Sequence, residues 1–150
     1  MKIEKTFEVD APQQAVWDFI TSPEQVAPCI PGCTGAEETE PGKYKAVIKT
    51  KVGPIKTTFK VNIETQEERP PEFAAYTTSG EEGSRASLIK AMSAVSLKQL
   101  DKDTTEVTYR SEINMLGRLG KFGSGLMQKV ADSIGNEFIA TMQDRIKSGE

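Results

Sequence analysis

The stretch TTEVTYRSEINM (residues 104–115) alternates strictly, and FGSGLMQKVADSIGNEFIATMQDRI (residues 122–146) does not. In the first, Val107, Tyr109, Ser111 and Ile113 share one face, against Glu106, Thr108, Arg110 and Glu112 on the other. That is the period of a strand with one face wet. In the second, Phe122, Leu126, Val130, Ile134, Phe138, Met142 and Ile146 recur every four residues, and Met127, Ala131 and Ile139 widen the stripe. This spacing predicts an amphipathic helix of about 26 residues, roughly 40 Å long. The switch of period decides the architecture: a sheet ends here and one long helix follows it.

Upstream, the period of two holds almost throughout from Thr34. Tyr44, Ala46, Ile48, Thr50 and Val52 alternate with lysines, and Ile55, Thr57, Phe59, Val61 and Ile63 alternate with Lys56, Thr58, Lys60 and Asn62. Gly53-Pro54 makes a tight turn between the two runs. Further strands are predicted near 72–80, 85–99 and 104–115. Residues 2–10 form an opening strand with Ile3, Lys5, Phe7 and Val9 on one face. Asp10-Ala11-Pro12 then signals a helix start, with Asp10 the N-cap candidate. Val16, Trp17, Phe19 and Ile20 give that short helix its apolar side, and Thr21-Ser22-Pro23 ends it and caps a second one running to about Pro28.

The prediction is thus α+β: one strand, two short helices, about six antiparallel strands and one long helix, all in a single domain over 1–150. A curved sheet wrapped around a straight helix leaves volume between them. Ser93, Ser111, Thr50 and Thr57 interrupt Ile48, Phe59, Tyr109, Val95 and Leu126 on the faces that would line it. A packed core would place larger apolar groups there. An apolar cavity with a few polar anchors is the general form of a small-molecule site. The candidate ligand-binding residues are Ile48, Phe59, Tyr109, Ser111, Ile113, Leu126, Met127, Val130 and Ile134.

Composition narrows the function. A net charge of −3 speaks against nucleic acid as the main partner. No run approaches the ~20 apolar residues of a membrane span, and the start lacks a signal-peptide core, so the expected compartment is the cytoplasm. The chain has no histidine and two cysteines, both in Cys29-Ile30-Pro31-Gly32-Cys33. A zinc site commonly needs four Cys or His ligands, and a redox pair usually has Cys-x-x-Cys spacing. The pentapeptide therefore reads as architecture: a small buried thiol at a helix end, then a Pro-Gly turn into the sheet. No metal and no cofactor is read from the residues, and no catalytic set can be assembled without a base. No inward-facing acid stands out on the strands. Trp17, Met92, Met115, Met127 and Met142 read as core. Gly117, Gly120, Gly123 and Gly125 lack the order of a phosphate loop, although Arg118 and Lys121 beside a helix start could hold an anion.

Lys43, Lys45, Lys49, Lys51, Lys56 and Lys60 fall in one hairpin free of acids. Alternation puts most of them outward, where they resist edge pairing. The sharper reading makes Lys45, Lys49 and Lys51 a docking surface for an acidic partner protein or for anionic lipid headgroups.

Three local signatures carry a family resemblance: Val16-Trp17 leading into Cys29-Ile30-Pro31-Gly32-Cys33, the hairpin Lys51-Val52-Gly53-Pro54-Ile55-Lys56, and Gly117-Arg118-Leu119-Gly120-Lys121-Phe122-Gly123 at the entry to the last helix. With the element order, they resemble the START-like helix-grip fold of the polyketide cyclase and lipid-transport superfamily. Within it the chain is similar to the family of the carbon monoxide dehydrogenase G protein, CoxG. That resemblance implies an accessory protein of a molybdenum-containing carbon monoxide dehydrogenase, aiding its assembly or its recruitment to the membrane. It also implies a hydrophobic ligand, such as a lipid or quinone, and peripheral contact with the inner face of the membrane. The alternatives are a polyketide cyclase or dehydrase-like enzyme with Tyr109 as polar handle, and a structural adaptor without ligand.

Overall fold

Period-two patterning becomes seven strands, and the period-four stripe becomes one helix, in a computed structural model that describes residues 1–52, 54–83, 87–117 and 123–147. The order is β1 (Lys2–Val9), α1 (Gln13–Ile20), α2 (Pro23–Val26), a 3-10 turn (Ala27–Cys29), β2 (Cys33–Glu40), β3 (Lys43–Val52), β4 (Ile55–Arg69), β5 (Phe73–Glu82), β6 (Ser87–Asp101), β7 (Thr104–Gly117) and α3 (Gly123–Lys147). The strands make one antiparallel sheet in the order β1-β7-β6-β5-β4-β3-β2. Every link but one joins sequence neighbours; the exception brings β1 beside β7, with Ile3 opposite Ser111 and Lys5 opposite Tyr109. The helix-grip expectation is met.

The predicted bounds shift at several ends. Helix α1 begins after Pro12, not on an Asp10 cap, and has no side-chain cap bond. Strand β5 runs on to Glu82, beyond the predicted 80. Phe122, the hairpin glycine Gly53, and Arg118 and Lys121 of the possible anion site lie outside the described residues.

Two apolar clusters form on the inner face. Val9, Val16, Trp17, Phe19, Cys29, Ala74, Leu97, Val107 and Met142 make the first, with Phe138 and Ile146 of α3 packed on it. This cluster closes the end of the sheet where β6 turns into β7 and where α1 docks. Gln13 ties α1 there: its backbone N–H donates to Gln99 Oε1 at 2.7 Å and its Nε2 donates to the Pro71 carbonyl at 2.8 Å. The second cluster has Ala46, Val52, Phe59 and Val61 at its centre, with Ile48, Met115, Leu126, Met127 and Val130 half-buried around it. It lies at the opposite end, near the β3–β4 hairpin.

Cys29 belongs to the first cluster and Cys33 packs against the second, so the pentapeptide joins the two. Gly32 sits at φ +80°, and an added Cβ would fall 1.8 Å from the Lys49 carbonyl oxygen. Only glycine fits this corner. The Lys49 N–H donates to the Gly32 carbonyl at 2.8 Å and fixes the entry of β2 against β3.

Met92 departs from its sequence reading. It faces outward on β6 and is 67% exposed, because its register puts it opposite Glu112 on the outer face. Leu88 and Leu116 are likewise exposed, and they face each other across β6 and β7.

Candidate functional site

Between the two apolar clusters the inner face turns polar. Register aligns Thr65 with Tyr76, Tyr76 with Ser93, and Ser93 with Ser111, placing four hydroxyls in one row across β4, β5, β6 and β7. Ser93 Oγ shares hydrogen bonds with Ser111 Oγ at 3.0 Å and with the Tyr109 hydroxyl at 3.4 Å. Ser111 is buried, yet Tyr109 on the same face is 37% exposed, so solvent reaches the space its ring enters. Val107, one inner position further along β7, is sealed in the first cluster.

The helix opposite tells the same story. Among the described residues of α3 only Met142 is fully buried, and the rest of its apolar stripe is half-buried. A stripe packed on a sheet would be excluded from solvent along its whole length. Here α3 is sealed at its C-terminal end and bridges a slot over its middle. Lys5 closes the β1 side: its ammonium lies 3.4 Å from Asp132 and donates to Asn136 Oδ1 at 3.3 Å.

The nine predicted ligand residues distribute around this slot. Ile48, Phe59, Leu126, Met127 and Val130 meet in the second cluster. Tyr109 and Ser111 form the polar row with Ser93. Ile113 and Ile134 are half-buried and belong to neither cluster, which places them along the slot between the two.

Sequence reasoning missed three groups. Tyr76 and Thr65 complete the hydroxyl row, and nothing in the sequence announces which positions of β4 and β5 lie level with Ser93. Burial pushes the Tyr76 phenol up to about 12, with Glu68 and Tyr44 adding to the rise. Burial raises Tyr44 too, helped by Glu38, and the nearby Thr65 hydroxyl tempers that rise. The Thr65 oxygen is nevertheless buried without a well-aligned hydrogen bond. The third is Glu82, an inward acid where the sequence predicts none. It is 3% exposed and accepts a 2.7 Å hydrogen bond from Thr57 Oγ1. A strand ending at 80 leaves this residue in a turn; two more strand residues turn it inside.

The thiols behave as architecture. Cys29 is 2% exposed, its Sγ contacts the Gln25 carbonyl at 3.6 Å, and burial raises its pKa although Arg145 opposes the rise. A buried thiol held protonated is a poor nucleophile. Among the described residues no group of three or more Cys, Asp or Glu is placed to hold a metal ion.

The outer face carries two open grooves of about 750 and 830 Å³, which share Lys45, Asn62, Ser79 and Lys90. Of the predicted docking lysines Lys45 lines both, and Lys49 and Lys51 line neither. None of the nine ligand residues reaches these grooves. No described helix is long and apolar enough to cross a membrane.

Solved structures share this architecture. A conserved protein from Geobacillus kaustophilus superposes with a TM-score of 0.91 at 22% identity, over 99% of this chain and 96% of that one. A START superfamily protein from Mycobacterium smegmatis gives 0.73 at 12% identity, covering 99% of each chain. The Zhui aromatase/cyclase from Streptomyces sp. R1128 gives 0.67 at 16% identity, over 97% of this chain and 95% of that one. At these identities the likeness establishes the fold. No curated protein matches the chain. The family model for CoxG, the G component of carbon monoxide dehydrogenase, matches residues 6–147, from the middle of β1 to the last residue of α3. The chain therefore belongs to the carbon monoxide dehydrogenase CoxG family.

Proposed function

We propose that this protein is a binding module that holds an apolar small molecule, of lipid or quinone type, between its sheet and α3, as accessory to a carbon monoxide dehydrogenase-type enzyme. One observation carries the reading: two apolar clusters are separated by a slot whose lining, including the 37% exposed Tyr109, faces inward yet is incompletely buried. Apolar inner surface left uncovered is costly at about 25 cal/mol per Å², and a ligand that covers it recovers that free energy. The hydroxyls give such a ligand orientation without offering acid–base chemistry, and the binding module is therefore favoured over a cyclase.

The family supports the enzyme partnership. The outer face supports a docking role: residues 41–63 hold six lysines and no acid, whereas the turns at the other end of the sheet carry Glu40, Glu67, Glu68, Glu72, Asp101 and Asp103. Lys45, Lys49 and Lys51 then present the hairpin end to an anionic surface, peripheral at the membrane or on the partner enzyme.

Native mass spectrometry of freshly purified protein, followed by solvent extraction, tests the binding role. A bound apolar molecule is the expected result. Protein that carries nothing extractable and takes up no apolar fluorescent probe would sink the proposal. For docking, changing Lys45, Lys49 and Lys51 together to Glu is expected to abolish co-sedimentation with anionic vesicles or capture of the dehydrogenase; unchanged binding to both would end the docking role.

A further inference from the structure

We infer that the ligand carries hydrogen-bond-accepting oxygens at the middle of its length, with apolar groups on both sides, and is not a molecule with one polar end. This rests on the binding reading above and specifies the chemistry of its occupant. The warrant is the order of rows on the inner face. Thr65, Tyr76, Ser93 and Ser111 lie level on four adjacent strands. At about 4.8 Å between strands, the row is roughly 14 Å long.

One inner position to one side lie Ala74 and Val95, backed by the sealed cluster around Trp17 and Val107. One position to the other side lie Ile63, Thr78, Ala91 and Ile113, and beyond them Val61, Ile89 and Met115 of the second cluster. The polar row thus has apolar surface on both flanks. A fatty acid laid along the slot would have to bring its carboxylate to the row and leave one apolar flank uncovered, or place the carboxylate on apolar surface. Both arrangements waste contacts that a molecule with central oxygens makes.

The donor supply agrees. Ser93, Ser111 and Tyr109 satisfy one another through two bonds, and each hydroxyl has further capacity. The Thr65 oxygen is buried with no well-aligned bond. Tyr76 keeps its proton far into alkaline solution, which leaves it a donor at any physiological pH. A carbonyl-bearing ring across these strands would meet donors, and its remaining carbon would meet the flanks.

The test uses two probes of one shape. Anthracene and 9,10-anthraquinone differ in the two carbonyl oxygens of the central ring. Anthracene binding is read by its fluorescence, and anthraquinone by competition. The quinone is expected to bind about tenfold more tightly than anthracene, the worth of two modest net hydrogen bonds. The double variant Ser93→Ala with Ser111→Ala, and separately Tyr76→Phe, should reduce that preference and leave anthracene affinity unchanged. Palmitate, with terminal oxygens only, should compete no better than anthracene. Equal affinity for the two aromatic probes, equal losses for both in the variants, or palmitate outcompeting the quinone would overturn the inference while leaving the cavity intact. Failure of every probe to bind would remove the binding reading itself, and this inference with it.

Discussion

The two ends of the slot are built differently from the same materials. At the α1 end, Trp17, Val16, Phe19, Val107 and Met142 are each at most 5% exposed, and α3 is anchored by Met142 and Ile146. At the hairpin end, Leu126, Met127, Val130, Ile48 and Met115 are no smaller, yet all remain half-buried around a four-residue centre. The difference lies in what fills the gap between sheet and helix. At one end two short helices supply side chains from a third direction. At the other end none of the described elements does so, and the apolar stripe of α3 faces space. Packing that is complete at one end and open at the other makes a socket.

Substitutions should therefore separate the ends. Trp17→Ala removes a side chain from the sealed cluster, where little can move into the hole, and is expected to cost about 3–5 kcal/mol in urea unfolding. Leu126→Ala removes a half-buried side chain and should cost about 1–2 kcal/mol less than a buried leucine would, while weakening uptake of an apolar probe. Equal losses from the two variants would break the comparison, since the ends would then be packed alike.

The hairpin end is open inside but rigid at its corner, and Gly32 exposes that contrast. Gly32→Ala forces φ +80° on a residue with a Cβ and drives that Cβ against the Lys49 carbonyl. The left-handed conformation alone costs about 1–2 kcal/mol, and the displaced bond between Lys49 and Gly32 adds to it. A loss of at least about 2 kcal/mol is expected. A near-neutral result would mean that β2 is free to slide and that the socket has no fixed wall there.

The alternation of β3, β4 and β7 and the period-four stripe of α3 are direct consequences of which face each residue presents. They could therefore be read from the sequence, and with them the sheet and helix. Tyr109, Ser111 and the α3 residues were legible as lining for the same reason. Register was not: Tyr76 and Thr65 join Ser93 only because of how far each strand is offset, and the offset depends on turns and on a bulge between Thr65 and Glu67. Glu82 is hidden by a strand end that moves by two residues, and the end of a strand is weakly encoded locally. Met92 is misplaced by equating apolar character with burial, whereas apolar residues are common on protein surfaces.

The Thr57 and Glu82 pair tests whether the polar groups at the hairpin end are structural. Thr57→Val keeps the shape and takes away the donor to a carboxylate that is 3% exposed. The expected cost is about 2 kcal/mol, within the range for a hydrogen bond to a charged group. Restoration by Thr57→Ser would assign the loss to the hydroxyl.

The pentapeptide should respond less. Cys29→Ala with Cys33→Ala removes one buried sulfur from the sealed end and one half-buried sulfur from the open end. A cost of about 1 kcal/mol is expected, with probe binding retained. Loss of binding in a folded double variant would place a thiol in the site.

The smallest effect at neutral pH lies on the border between the two ends, at Tyr76. Its phenol is raised from the ordinary 10.0 to about 12 in the folded protein. Below pH 10 both states hold the proton and the group contributes nothing to pH dependence. Through the window from 10 to 12 the unfolded chain releases its proton first, so the folded state binds more protons and stability falls as pH rises. Tyr76→Phe removes that titration. Its unfolding midpoint in urea should decline less steeply than that of the parent protein across the same window, whatever the variant costs at neutral pH. Parallel declines would mean that Tyr76 ionises as freely in the folded chain as in the unfolded one. The polar row would then be open to water, and the border between the sealed end and the socket would run on the α1 side of it.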